Sequence, residues 1–182
     1  MVARHQVRKG GGQGKLGQGC QPGFGRQRSV TLCNRQRLRL VDMRGLRRIV
    51  QALLRETWPD AGFDLAFYIV AAPEMTRLNE TFLQHRGSTD VITFDYGAPA
   101  LPHGEIFICL DEAVSQARRF HTTWQSELVR YMVHGVLHLL GHDDRLCRAR
   151  RRMKEAEDAL LAQLARRFDF RGLTRHGTRS LG

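Results

Sequence analysis

Two histidines and an aspartate near position 140 have the spacing of metal ligands. His134 and His138 lie in the stretch "HGVLHLLGHDD", residues 134 to 144. In a helix, residues four positions apart project from the same face, so both rings can reach one divalent cation. A buried helix whose histidine is bonded to a carbonyl gives the same local pattern. Gly141, however, can end the helix in a left-handed turn that brings a further ligand back towards the cation.

The sequence leaves the third ligand open among the residues beyond this turn. The pattern H-x-x-x-H-x-x-G-x-x-D ends at Asp144 and parallels the zinc proteases in which a glycine turn delivers a third ligand. His142 and Asp143 are also within reach. Three protein ligands leave a position for water, which is typical of a catalytic site. Zinc suits such a set, and a carboxylate ligand also admits Mn²⁺ or Mg²⁺.

A peptidase is disfavoured by the residue that follows the first histidine. Zinc proteases of the H-E-x-x-H type carry a glutamate there as the general base. The corresponding residue here is Gly135.

Charge is distributed unevenly along the chain of 182 residues, whose formal net charge is +11. Residues 1–41 contain nine Lys or Arg and no acid, whereas the remainder contains 20 basic and 18 acidic residues. The total suggests a nucleic-acid partner, but most of the excess charge belongs to the N-terminal arm.

Hydrophobic periodicity and capping residues predict a single mixed domain. The class is α+β (mixed α/β), with a small, roughly four-stranded sheet, about five helices and the metal motif on a central helix. Thr122 or Ser126 is the expected N-cap of that central helix. The predicted strands are 35–42, 63–70, 90–96 and 104–110, and the predicted helices are 42–58, 73–84, 111–120, 122–141 and 145–167.

Composition divides the chain into three segments. Residues 1–29 are rich in Gly, Arg and Gln and are predicted to be a disordered basic extension, 30–168 to form the domain, and 169–182 to be a flexible basic tail. No run of 18 apolar residues and no secretory signal is found, so we expect no membrane span. The absence of close cysteine spacing indicates a reducing cytoplasm.

Three stretches together resemble one protein family. "RGSTDVITF" (86–94), "GEIFICLDEA" (104–113) and "HGVLHLLGHDD" are similar to the motifs of the YbeY endoribonucleases, the bacterial rRNA maturation factors. The likeness spans roughly 34–165. The three motifs together are specific, and the resemblance implies a metal-dependent hydrolase that cleaves single-stranded RNA. It also implies that the enzyme matures the 16S rRNA 3′ end and acts with the small ribosomal subunit in ribosome quality control.

The resemblance also implies roles for individual residues. Arg86 matches a motif arginine and is the candidate phosphate contact, unless it pairs with Asp90. Glu105 matches an acidic position and is expected to hold a metal ligand or accept a proton. The family has a third histidine where Asp144 stands, so we favour Asp144 over His142 as the third ligand.

Two further questions stay open at this level. The arginine run 145–152 is either a solvated helix face or a track for RNA. The protein is either the endoribonuclease or a non-catalytic ribosome-assembly factor with a structural metal. A metal hydrolase of another substrate class is the remaining alternative.

Overall fold

One mixed β-sheet organises the part of the chain that the computed structural model describes, residues 3–5, 27–97 and 101–174. Its strands lie in the order β1-β4-β5-β3-β2, and β4–β5 is the antiparallel pair while the other neighbours are parallel. The strands are β1 (Ala3–His5), β2 (Arg28–Asn34), β3 (Phe63–Val70), β4 (Val91–Asp95) and β5 (His103–Cys109).

Within the described ranges, five α-helices connect and cover these strands, which confirms the predicted mixed fold with a small sheet. Asp42 caps the first helix as expected, but the predicted cap of the fourth was wrong: the Thr123 hydroxyl accepts from the amide of Ser126. The helices are α1 (Met43–Thr57), α2 (Ala72–Leu78), α3 (Leu110–Phe120), α4 (Trp124–Leu139) and α5 (Cys147–Ala165), with a π-helical turn at Asn79–Leu83 and a 3-10 turn at Phe170–Leu173.

The two faces of the sheet have different partners. Strand residues alternate between faces, and in β5 Ile106 and Ile108 join the main core with α1, α4 and α5. Phe107 and Cys109 point to the other face and join a smaller cluster with α2 and the π-helical turn. The metal motif on α4 therefore belongs to the main-core face.

Gly135 allows α4 to approach the sheet very closely. A Cβ atom built at this position would lie 2.5 Å from Cγ2 of Ile106, which is itself fully buried. Such a separation is well inside van der Waals contact, so a side chain here requires the helix or the strand to move. Packing on the sheet therefore accounts for glycine beside the first histidine.

The first predicted strand was placed wrongly. The structure has β2 at Arg28–Asn34, ahead of the predicted 35–42. The segment after β2 turns instead, because the side-chain amide of Gln36 donates to the carbonyl of Arg39 and its oxygen accepts from the amide of Arg39. The alternation that suggested a strand leaves Leu38 and Leu40 exposed.

The described structure includes parts of both predicted terminal segments. In the predicted tail, Leu173 is buried and Thr174 forms a β-bridge with Val41. In the predicted extension, β1 pairs with β4, while residues 6–26 and 175–182 lie outside the described residues. No helix in the described ranges has the length and hydropathy needed to cross a membrane.

Replacing Gly135 by Ala is expected to destabilise the protein by about 1–2 kcal/mol, because overpacking against Ile106 outweighs the better helix propensity of alanine. Urea unfolding measures the difference. Gly172→Ala is the control, since a Cβ there meets nothing within 4 Å. A Gly135→Ala protein as stable as the wild type would contradict the close packing.

Candidate metal centre

A glycine turn folds the chain back beside the end of α4. Gly141 has a φ of 90°, a left-handed conformation that glycine adopts at little cost. The amide of Gly141 donates to the carbonyl of His138, and the amide of His142 donates to the carbonyl of Leu137. These bonds satisfy carbonyls at the helix end and direct residues 142–144 towards the histidines.

Three side chains converge at this turn. One ligand atom each from His134, His138 and Asp144 lies within 4.8 Å of the others, a group that could hold a metal ion. His138 is almost fully buried, with 2% of its surface exposed. His142 contributes its main chain to the site, because its carbonyl oxygen lies 3.2 Å from Nδ1 of His138.

The orientation of the two rings fits a cation. Nδ1 of His134 lies 2.9 Å from a carboxylate oxygen of Glu157, and Nδ1 of His138 faces a carbonyl. A neutral ring that donates through Nδ1 keeps its lone pair on Nε2. The two Nε2 atoms are 3.1 Å apart, and two zinc-bound nitrogens in tetrahedral geometry are separated by about 3.3 Å.

Glu157 of α5 connects this site to a charged network. The carboxylate is 5% exposed and accepts from the His134 ring, from Arg130 at 2.7 Å and from Lys154 at 3.2 Å. Burial opposes its ionisation, but the hydrogen bonds from His134 and Arg130 outweigh burial and hold its pKa below the ordinary value. Glu157 is therefore a fixed acceptor for the Nδ1 proton of His134.

Glu157 was missed by the sequence interpretation, although a signal was present. It stands in register with Met153, Leu161 and Leu164, which are the buried apolar residues of α5. A lone carboxylate in an apolar helical stripe requires a buried partner. Identifying that partner as a histidine of α4 needed the packing of the two helices.

The arginines at the start of α5 make different kinds of contact. Nε of Arg150 donates to the carbonyl of Asp144 at 2.9 Å and so holds the main chain of the candidate third ligand. Arg151 pairs with Glu155 within the exposed helix face. At least these two arginines therefore have structural contacts.

Arg86 lies on the surface between the π-helical turn and β4, in an exposed position. Within the described ranges no ion pair joins it to Asp90, whose carboxylate instead accepts from Thr89 and from the amide of Val91.

The role expected of Glu105 at the metal centre stays a prediction, because its contacts in the structure are with two tyrosines. Glu105 shares its sheet face with Phe107, opposite to the face on which Ile106 packs against α4. Its two carboxylate oxygens accept from the hydroxyls of Tyr68 at 3.1 Å and Tyr96 at 3.0 Å. Strand alternation separates it from the histidines.

Comparison with known proteins gives this fold and site a family. The family model described as Endoribonuclease YbeY matches residues 31–165. The chain belongs to this family. The members of this family are named endoribonucleases, which are hydrolytic nucleases. The predicted enzyme class, a hydrolytic nuclease, is therefore confirmed for the family.

Individual relatives cover the YbeY region to different extents. An endoribonuclease YbeY from Chlorobium luteolum is 50% identical over 50% of this chain and 66% of its own length. One from Chlorobaculum parvum is 35% identical over 69% of this chain and 89% of its own length. A solution structure of a Thermotoga maritima protein, 21% identical, shares the fold with a TM-score of 0.57, covering 83% of this chain and 99% of that one.

Tyr96 provides a spectroscopic test of the Glu105 contacts. Partial burial and the hydrogen bond to Glu105 raise the pKa of Tyr96 to about 12. Its ordinary value is about 10, so the stability due to this contact is present below pH 10 and is lost as the pH rises towards 12. Ultraviolet titration of tyrosinate should show a component near 12 that moves down in Glu105→Gln.

Tyr96→Phe identifies that component among the three tyrosines of the chain. A difference spectrum between wild type and Tyr96→Phe that titrates at the ordinary value would contradict the contact.

Proposed function

We propose that the protein is a metal-dependent endoribonuclease that cleaves single-stranded RNA at a centre formed by His134, His138 and Asp144. The observation that carries the proposal is the convergence of two histidine Nε2 atoms at 3.1 Å while both Nδ1 atoms face oxygen acceptors. Two lone pairs at this distance repel each other unless a cation or a proton lies between them. Family membership supplies the reaction class.

The residues of the chain position the centre in three ways. Glu157 holds the proton on Nδ1 of His134, and the carbonyl of His142 does so for His138, so both rings present Nε2. Arg150 fixes the main chain at Asp144. When bound, a divalent ion supplies Lewis acidity towards water and the phosphodiester.

We propose zinc as the bound ion, with Mn²⁺ or Mg²⁺ as alternatives that the Asp144 carboxylate admits. Arg86 is the proposed phosphate contact, since its exposed guanidinium can move to a phosphodiester and bind it with two parallel hydrogen bonds. This assignment rests on the resemblance of its motif.

The proposed cellular role is rRNA processing in the cytoplasm, at the 16S rRNA 3′ end and on the small ribosomal subunit. Support for this role comes from the family resemblance. The positive charge of the N-terminal arm also suits a negatively charged RNA partner.

Metal content should separate the candidate ligands. After reconstitution with Zn²⁺ and dialysis, elemental analysis is expected to find near one equivalent in wild type and in His142→Ala, because His142 contributes its main-chain carbonyl. His138→Ala and Asp144→Ala should lose the ion. Glu157→Gln should weaken affinity by about 10–100-fold, as is typical of residues that orient a ligand.

Retention of the metal in Asp144→Ala, together with its loss in His142→Ala, would make His142 the third ligand. Urea unfolding of each apoprotein serves as the folding control. No bound metal in the wild type under any loading condition would overturn the metal-dependent mechanism.

RNA cleavage tests the function itself. Wild type loaded with Zn²⁺ or Mn²⁺ is expected to cut an end-labelled single-stranded RNA and to leave the same sequence intact as a duplex. His138→Ala should bind the single strand but not cut it. If wild type binds RNA without cutting it under every metal tested, the protein is instead a non-catalytic assembly factor.

A further inference from the structure

A basic cleft lies at the opposite end of α4 from the metal centre. It has a volume of about 570 Å³ and lies between the start of α4 and the chain that follows α5. Thr122, Thr123 and Ser126 line one side, and Arg166 and Arg171 line the other. We call it the Arg166–Arg171 cleft.

The lining of the cleft has a net positive charge, because three arginines and one aspartate contribute to it. Arg166 and Arg171 are both exposed, and within the described ranges neither guanidinium forms an ion pair. The neighbouring Arg167 is different, because it pairs with Glu56 at 3.0 Å. The one acid lining the cleft, Asp169, accepts from the amide of Arg171 and caps the 3-10 turn.

This charge favours an anionic ligand, and the guanidinium geometry suits phosphate. A guanidinium presents parallel N–H donors that match two phosphate oxygens, and it remains charged at every physiological pH. Two such groups in one cleft can bind phosphates of the same nucleic-acid strand. The polyanion already proposed as the substrate is single-stranded RNA.

The cleft and the metal centre lie along one ridge of α4. Ser126, Arg130, His134 and His138 follow each other at four-residue intervals, so they form a single row on the helix surface. Helix α5 runs antiparallel to α4 and packs along this row. Ala165 lies across from Ser126 in the cleft, Asp158 contacts Arg130, and Glu157 contacts His134.

The separation of the two sites corresponds to a short length of RNA. At about 1.5 Å per helical residue, Ser126 lies roughly 12 Å from His134 and roughly 18 Å from His138 along the axis. A stacked strand that advances about 3.4 Å per nucleotide, the rise of one strand in a B-form helix, covers this distance in roughly four to five nucleotides.

Between the two sites the acidic residues outnumber the basic ones. Arg130 contacts Glu127, Glu157 and Asp158, and Lys154 contacts the last two of these acids. This part of the α4–α5 seam therefore has no excess positive charge for phosphates. Two separate attachment points fit the charge distribution better than a continuous basic track.

We propose that the Arg166–Arg171 cleft binds backbone phosphates of the RNA substrate, roughly four to five nucleotides from the phosphodiester at the metal centre. The proposal rests on the proposed endoribonuclease function. The cleft is a second, sequence-independent attachment, because contacts to phosphate carry no direct base information.

The test compares two double variants on substrates of two lengths. Arg166→Ala/Arg171→Ala removes the cleft charge, and Arg48→Ala/Arg77→Ala removes the same charge from exposed positions on α1 and α2 outside the cleft. KM for a 12-nucleotide single strand is expected to rise about tenfold in the cleft variant, and the salt slope of binding to fall by about 1.4 for two lost phosphate contacts.

Three further results complete the expectation. The cleft variant should keep its kcat on the 12-nucleotide RNA. It should also keep wild-type KM on a three-nucleotide RNA, which is too short to reach both sites. The control variant should match wild type with both substrates, and urea unfolding should show equal stability for all three proteins.

Distinct outcomes would overturn the proposal. An unchanged KM for the long RNA in the cleft variant, with wild-type cleavage intact, removes the cleft and leaves the endoribonuclease function standing. An equal rise in the control variant shows a general effect of net charge and also removes the cleft. Wild type that neither binds nor cuts RNA overturns both proposals.

Discussion

A buried carboxylate, that of Glu157, ties together the two helices on which the site is built. Burying a carboxylate is costly unless it is paired and hydrogen-bonded. Here three donors, from His134, Arg130 and Lys154, compensate for that cost. The same bonds that make the carboxylate tolerable inside the protein also fix the rotation of one histidine ring, so packing and site geometry cannot vary independently.

The glycine turn after α4 depends on this arrangement. Gly141 returns the chain towards the helix, but the main chain at Asp144 is then held by Arg150, a residue of α5. Two residues of α5 thus contact the candidate metal centre without belonging to the group of candidate ligands. The correct register of α5 against α4 is therefore a requirement for the centre as well as for the core.

The sequence predicted the parts of the site that are local in the chain. His134, His138, Gly141 and Asp144 fall within eleven positions, so helical spacing and turn chemistry are enough to bring them together. Glu157 comes from another helix, and its partner depends on tertiary packing. The segment 35–40 misled the prediction because its apolar residues alternate while remaining exposed.

Glu105 illustrates a different limit. A strand prediction gives the alternation of side chains but not which set faces a given helix, so the motif could not show that Glu105 points away from α4. In the structure this carboxylate accepts hydrogen bonds from two tyrosines on the sheet face opposite to α4. The motif identifies an acidic residue, but the contacts of that residue depend on how the sheet is covered.

The contact between Gly135 and Ile106 restricts the chemistries that this fold can acquire by mutation. A peptidase of the H-E-x-x-H type requires glutamate at this position, yet even a Cβ would enter the space of Ile106. Such a conversion needs a simultaneous change in the strand, and each change made alone loses packing or stability. Core packing therefore forms an evolutionary barrier between two hydrolases whose histidine spacing is the same.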